Sequence, residues 1–199
     1  MQQLVLLQQK SFFSNLPIRT FNPIKMNRSH LILSLLLLLT ATGYGQKIDF
    51  DKKLKDLGIQ LYSPTPPMAN YVKAVRTGNL IFLAGHGPTF ADNTNITGKV
   101  GKDLTLEQGA AAARQTGIAL LSTLKSEIGD LNKVKRIVKV LGMVNCTENF
   151  YDQPKVINGF SDLMVQVFGE KGKHARSAVG MYALPSNIAV EIEMIVEVE

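Results

Sequence analysis

The spacing of apolar and polar residues divides the chain into an apolar head and a longer periodic remainder. In the head, Leu31, Ile32, Leu33 and Leu35 to Leu39 are interrupted only by Ser34. From Phe50 onward the apolar positions become periodic. Phe50, Leu54 and Leu57 recur at helical steps and Gly58 follows, which predicts a short amphipathic helix. Pro64-Thr65-Pro66-Pro67 excludes helix and central strand, because proline lacks an amide donor and restricts the residue before it. Tyr71 to Val75 and Leu80 to Ala84 read as two strands joined by Arg76-Thr77-Gly78-Asn79, whose Gly and Asn suit a tight hairpin.

Thr105 and Gln108 have the spacing of a capping box. Leu106, Ala110, Ala113, Gly117, Leu120, Leu124 and Ile128 then recur at helical steps up to Gly129. Val134 to Cys146 predicts a buried strand, and Val156, Phe160, Leu163, Val167 and Phe168 mark a second amphipathic helix closed by Gly169. His174 to Ala183 and Ile188 to Val198 predict two more strands, joined by Leu184-Pro185-Ser186-Asn187. The order ββαβαββ predicts an α+β domain: a mostly single sheet with two helices on its apolar face, the other face turned to solvent or another subunit.

Pairing Ala183 with Ile188 across the last turn sets Gly180 opposite Glu191 and Arg176 opposite Ile195. Arg176 and Glu191 would then share the face away from the helices, with Ala178 and Gly180 leaving room for an anion. The competing reading is a surface salt bridge, the commoner outcome for such a spacing. His86 follows Gly85 at a strand end and is a candidate general base, while Cys146 lies within a buried-strand pattern and reads as a small core hydrophobe. The three histidines and single cysteine have no metal-ligand spacing, and there is no phosphate-binding glycine loop, so neither metal nor cofactor is expected.

The head changes the picture of charge and location. Lys25 and Arg28 precede the apolar run, the small residues Thr40 to Gly45 follow it, and Gly43 and Gly45 fit a small-x-small cleavage site. The apolar run is about nine residues against the 20 or so of a spanning helix, so no stable membrane anchor is expected. Residues 1–45 thus read as a signal peptide and 46–199 as the exported domain, periplasmic or secreted. Met26 is the better initiator, which makes 1–25 an upstream extension. The formal charge is +6, but Lys10, Arg19, Lys25 and Arg28 belong to the leader, leaving 18 basic residues against 16 acidic. A net charge of +2 argues against a nucleic-acid partner. The cluster Lys133, Lys135, Arg136 and Lys139 carries no interleaved aromatics and reads as a solvated strand edge.

His174-Ala175-Arg176-Ser177-Ala178-Val179, Leu184-Pro185 and Val190-Glu191-Ile192-Glu193 together resemble the C-terminal signature of the RidA/YjgF family, also called endoribonuclease L-PSP. Tyr71 to Val75, Thr77 to Leu80 and Ala84-Gly85-His86-Gly87-Pro88 are similar to its first hairpin. The resemblance implies a chorismate-mutase-like fold with a single mixed sheet, and a homotrimer with sites at subunit interfaces. It implies that Arg176 grips a substrate carboxylate, that Glu191 positions the attacking water, and that Tyr71, Gly85, His86, Asn158 and Ala178 line the pocket. The implied reaction is hydrolysis of enamines or imines, such as 2-aminoacrylate, to a keto acid and ammonia. A non-catalytic binder of small carboxylates is the alternative, and a ribonuclease the third reading. The chain departs from the common pattern at Ala178, usually cysteine, at His86, usually glutamine, and at Ala84, usually serine or threonine.

Overall fold

The computed structural model describes residues 48–67 and 69–199; the expected leader and its cleavage point lie outside the described residues. Helix α1, Phe50–Asp56, starts where the Asp49 carboxylate accepts the Lys52 amide at 2.9 Å, and it buries Phe50 and Leu54. Strands β1, Ala74–Thr77, and β2, Leu80–His86, form the first hairpin, with Gly78 in the left-handed region at its turn. Tyr71 and Val72 precede the ladder instead of opening it. Helix α2, Leu106–Ile128, carries both halves of the capping box: Gln108 N donates to Thr105 Oγ1 at 3.2 Å and Thr105 N to Gln108 Oε1 at 2.8 Å. Strand β3, Val134–Asn145, helix α3, Gln153–Phe168, and strands β4, Ala175–Met181, and β5, Val190–Val198, complete the order.

The five strands make one mixed sheet in the order β1-β2-β5-β3-β4. Strand β5 is antiparallel to both β2 and β3, whereas β4 pairs with β3 in parallel. The expected hairpin between the last two strands does not form. Its failure has an apolar cause. Val190, Ile192, Met194, Val196 and Val198 all point to one face of β5 and are at most 1% exposed, so that strand gains most from a central position. On β4 the residues facing the same layer are Arg176, Ala178 and Gly180, which suit an edge. A short 3-10 turn, Pro185–Asn187, carries the chain away from the edge, with Ser186 and Asn187 in left-handed conformation. Parallel neighbours need a crossover, and α3 supplies it between β3 and β4. Strand β4 pairs with β3 only from Lys139 onward, so Lys135 and Arg136, both exposed, lie on a stretch of β3 with a strand partner on one side only, a solvated edge as the basic cluster suggested.

Helix α2 packs on β2 and β5, and α3 on β3, β4 and α2. The core lies between these helices and the sheet, and includes Ile81, Leu120, Leu124, Ile137, Phe160 and Met194. Two glycines set how close the layers come. A Cβ on Gly142 would stand 2.6 Å from Ile157 Cδ1, and one on Gly159 would stand 2.0 Å from the Ala110 carbonyl oxygen of α2. The second is a backbone contact that no rotamer change relieves. In an open helix Gly→Ala stabilises by up to about 1 kcal/mol, but overpacking costs about 1–3 kcal/mol, so Gly159→Ala is expected to destabilise. For a domain of this size, a thermal melt should show the midpoint lowered by about 2–4 °C per kcal/mol. A raised midpoint would mean that α2 and α3 separate without cost.

Candidate functional site

Arg176 pairs in register with Val140, and Val140 with Met194, both buried beneath the helices. Partners in register share a face, so the Arg176 side chain rises on the helix side of the sheet. There it meets a stripe of α3. Nη1 donates to Asn158 Oδ1 at 3.0 Å and to Ser161 Oγ at 2.9 Å, and Nη2 makes a 3.4 Å contact with the Pro154 carbonyl oxygen. Positions 154, 158 and 161 are one helical turn apart, so a single helix face supplies all three acceptors. Ala178 and Gly180 continue along β4 on the same side. Because Gly180 lacks a side chain, a cleft of about 520 Å³ opens beyond it, lined by Lys99, Cys146, Phe150, Gln153 and Tyr182 among others. Cys146 is buried, with Gln153 Nε2 at 3.6 Å from its sulfur.

Glu191 alternates with Val190 and Ile192 and therefore projects from the opposite face. Its carboxylate lies against Gly85, where a Cβ would stand 2.0 Å from Oε1. Burial raises its pKa above the usual value, and Glu193 raises it further. Among the described residues neither Arg176 nor Glu191 forms an ion pair. The salt-bridge reading is thereby removed. So is the shared face: Arg176 and Glu191 lie on opposite sides of the sheet, on strands separated by β3. Within one chain they do not converge.

His86 also moves. The register between β2 and β5 shifts between Leu83 and His86, a bulge that exchanges the two faces of the strand end. Gly85 turns toward Glu191, and His86, 7% exposed, turns under the helices. Its Nδ1 bonds the Ala84 carbonyl at 2.7 Å and its Nε2 bonds Thr123 Oγ1 of α2 at 2.8 Å. The ring is thus tied into the interior and does not line a pocket on the Glu191 side. Tyr71 is 50% exposed, just ahead of β1. The contacts of Pro154 and Ser161 with Arg176 were missed in the sequence, although their helical spacing with Asn158 was the signal that could have found them.

Around Glu191 the open sheet face is strongly apolar. Val75, Phe82 and Val179 are each 40% exposed or more. A shallow cleft of about 300 Å³ is lined by Val72, Val75, Phe82, Lys139, Leu141 and Glu193, among others.

Comparison with known proteins places this geometry. Residues 51–198 match the model of the YjgF/chorismate mutase-like family, whose description also names a presumed endoribonuclease activity. The chain is 41% identical over 145 residues to Protein TCP17 of Trypanosoma cruzi, covering 72% of this chain and 91% of that one. It is 30% identical over 134 residues to a 2-iminobutanoate/2-iminopropanoate deaminase of Dermatophagoides farinae, covering 67% and 89%. A solved protein of unknown function from Agrobacterium tumefaciens superposes with a TM-score of 0.70 at 40% identity, covering 75% of this chain and 94% of that one.

The burial of histidine side chains, full for His86 and partial for His174, makes stability depend on pH. Burial lowers the His86 pKa from its ordinary 6.5, the Ala84 carbonyl partly offsets this, and Lys73 lowers it further. At high pH the ring is neutral in both folded and unfolded chains and contributes no pH dependence. As pH falls through 6.5 the unfolded chain takes up a proton that the folded chain resists, and stability drops. His174 acts in the same direction. The urea midpoint is expected to fall from about pH 8 to about pH 6, with a shallower fall in His86→Gln. An identical slope in the variant would show that His86 does not carry the effect.

Proposed function

The chain belongs to the RidA/YjgF family and has its chorismate-mutase-like fold, and from that premise we propose that it hydrolyses enamine or imine carboxylates to keto acids and ammonia. The observation that carries the reading is a guanidinium with no carboxylate partner among the described residues, held by three neutral oxygens with one edge left open. Such an edge fits a carboxylate with two parallel hydrogen bonds. In this proposal Arg176 binds the substrate carboxylate. Glu191 accepts a proton from water as the water oxygen bonds to the imine carbon, and the C=N bond becomes single. That proton passes to nitrogen to give a carbinolamine; Glu191 then carries the hydroxyl proton to nitrogen as the C–N bond breaks, so that ammonia leaves and the carbonyl forms. A carboxylate whose pKa is raised by burial is better matched to both proton transfers near neutral pH.

Since Arg176 and Glu191 lie on opposite sides of one sheet, the reaction as proposed needs two copies of the chain. The apolar open face around Val75, Phe82 and Val179 supports such an assembly, with Glu191 of one subunit facing Arg176 of the next in a homotrimer. Asn158 and Ala178 belong to the arginine half of the site, and Gly85 to the glutamate half. The export expected for residues 46–199 would place this activity outside the cytoplasm. Carboxylate binding without turnover is the second reading, favoured by an Arg176 cradle that is complete within one chain.

Turnover of enamines generated in situ, followed by ammonia and keto-acid release above the spontaneous rate, tests the proposal. Arg176→Ala should weaken keto-acid binding roughly ten- to a hundredfold. Glu191→Gln should retain binding and lose about 10²-fold in turnover. Co-refolding the two variants in equal amounts should restore about one quarter of the wild-type activity, because random mixing pairs an intact Arg176 with an intact Glu191 at that share of interfaces. No recovery in a mixed trimer would overturn the interfacial site. Binding without turnover in the wild type would leave the binder reading standing.

A further inference from the structure

We propose that Ser161 and His174 form a positioning relay that decides which edge of Arg176 is offered to a ligand. The inference rests on the carboxylate-binding role of Arg176 given above. It starts from a carbonyl. His174 Nδ1 lies 2.7 Å from the Gly172 carbonyl oxygen, which can only accept, so Nδ1 carries a proton. Burial lowers the ring's pKa, the Gly172 bond raises it in part, and Arg176 lowers it again, so the ring is neutral at neutral pH. Nε2 is then a bare acceptor, and Ser161 Oγ, 3.1 Å away, must donate to it. With its proton committed, the Ser161 oxygen is left to accept from Arg176 Nη1 at 2.9 Å. Every donor in the chain points the same way, from Arg176 through Ser161 and His174 to Gly172.

The relay has a geometric result. Nη1 has two hydrogens, and Asn158 and Ser161 take both. Among the described residues Nε makes no hydrogen bond, and Nη2 makes only the 3.4 Å contact with Pro154. A guanidinium is planar, so two bonds on Nη1 fix the orientation of the Nε–Nη2 edge. That edge is the one presented to a carboxylate. The ring that anchors the relay is itself packed edge-on against Phe160, with centroids 5.8 Å apart. A serine free to rotate could turn its proton toward Arg176 and lose the bond. His174 prevents this by offering a better acceptor.

Three variants and two measurements test the relay. Ser161→Ala removes it, Ser161→Thr keeps the hydroxyl, and His174→Phe keeps the ring against Phe160 without either nitrogen. The first measurement needs no ligand. Nitrogen NMR of the wild type should show the His174 proton on Nδ1, and Arg176 guanidinium signals that broaden with faster rotation in Ser161→Ala and sharpen again in Ser161→Thr. The second is 2-oxobutanoate affinity by calorimetry. One lost hydrogen bond should weaken it about threefold to tenfold in Ser161→Ala and in His174→Phe, with Ser161→Thr near wild type. In turnover, KM should rise more than kcat falls, as expected for uniform binding. A proton on Nε2, or unchanged Arg176 signals and unchanged affinity in both relay-breaking variants, overturns the inference. If the wild type binds no keto acid at all, the carboxylate reading of Arg176 fails, and the NMR arm still decides whether the relay exists.

Discussion

The parallel alignment of β4 with β3 is the constraint on which the candidate site depends. Parallel neighbours cannot be joined by a tight turn, so the chain must leave the sheet and return, and α3 is that return path. The crossover lays α3 directly beside β4. Gly142, by having no side chain, lets Ile157 sit close on the sheet, and this brings Asn158 and Ser161 of the same helix over the strand edge. Register completes the construction. With Arg176 opposite Val140 the guanidinium points into the acceptors of α3; a slip of one residue would put Ser177 there and turn Arg176 out to the open face.

Local features of this fold were legible in the sequence because they are decided locally. Thr105 and Gln108 cap α2 as their spacing predicts, Gly129 and Gly169 end the two long helices, and Gly78 turns the first hairpin. The two long helices cover one side of the sheet, as the apolar stripes required. Strand pairing was less legible. A short connection between β4 and β5 favours a hairpin, and nothing in four residues of turn says that the greater apolar surface of β5 will claim the sheet centre. The face of His86 was hidden for a different reason. Strict alternation from Ile81 and Leu83 would put Gly85 inside and His86 outside, and one bulge reverses both.

Those two departures account for how the site divides. Arg176 and Glu191 were recognisable as chemistry from their motif, but their relation in space depended on pairing and parity. The bulge gives Glu191 a glycine to lie on, and the edge position of β4 gives Arg176 a helix to lean against. Each charge is therefore supported by its own surroundings instead of by the other. The apolar open face belongs to the glutamate side alone. One strand layer thus separates a polar cradle from an exposed apolar surface.

Among the described residues the cradle around Arg176 uses only neutral oxygens, and this leaves its positive charge whole when nothing is bound. A fixed cation beside an open edge behaves as an ion exchanger. In the proposed carboxylate-binding role, small anions such as chloride would compete with the substrate for the same donors. Affinity for a carboxylate is then a displacement, the difference between two anions' preferences for the same donors. A spherical halide cannot match a flat two-pronged edge as a carboxylate does. Under that reading the geometry of the guanidinium, more than its charge, would let an organic acid win that exchange.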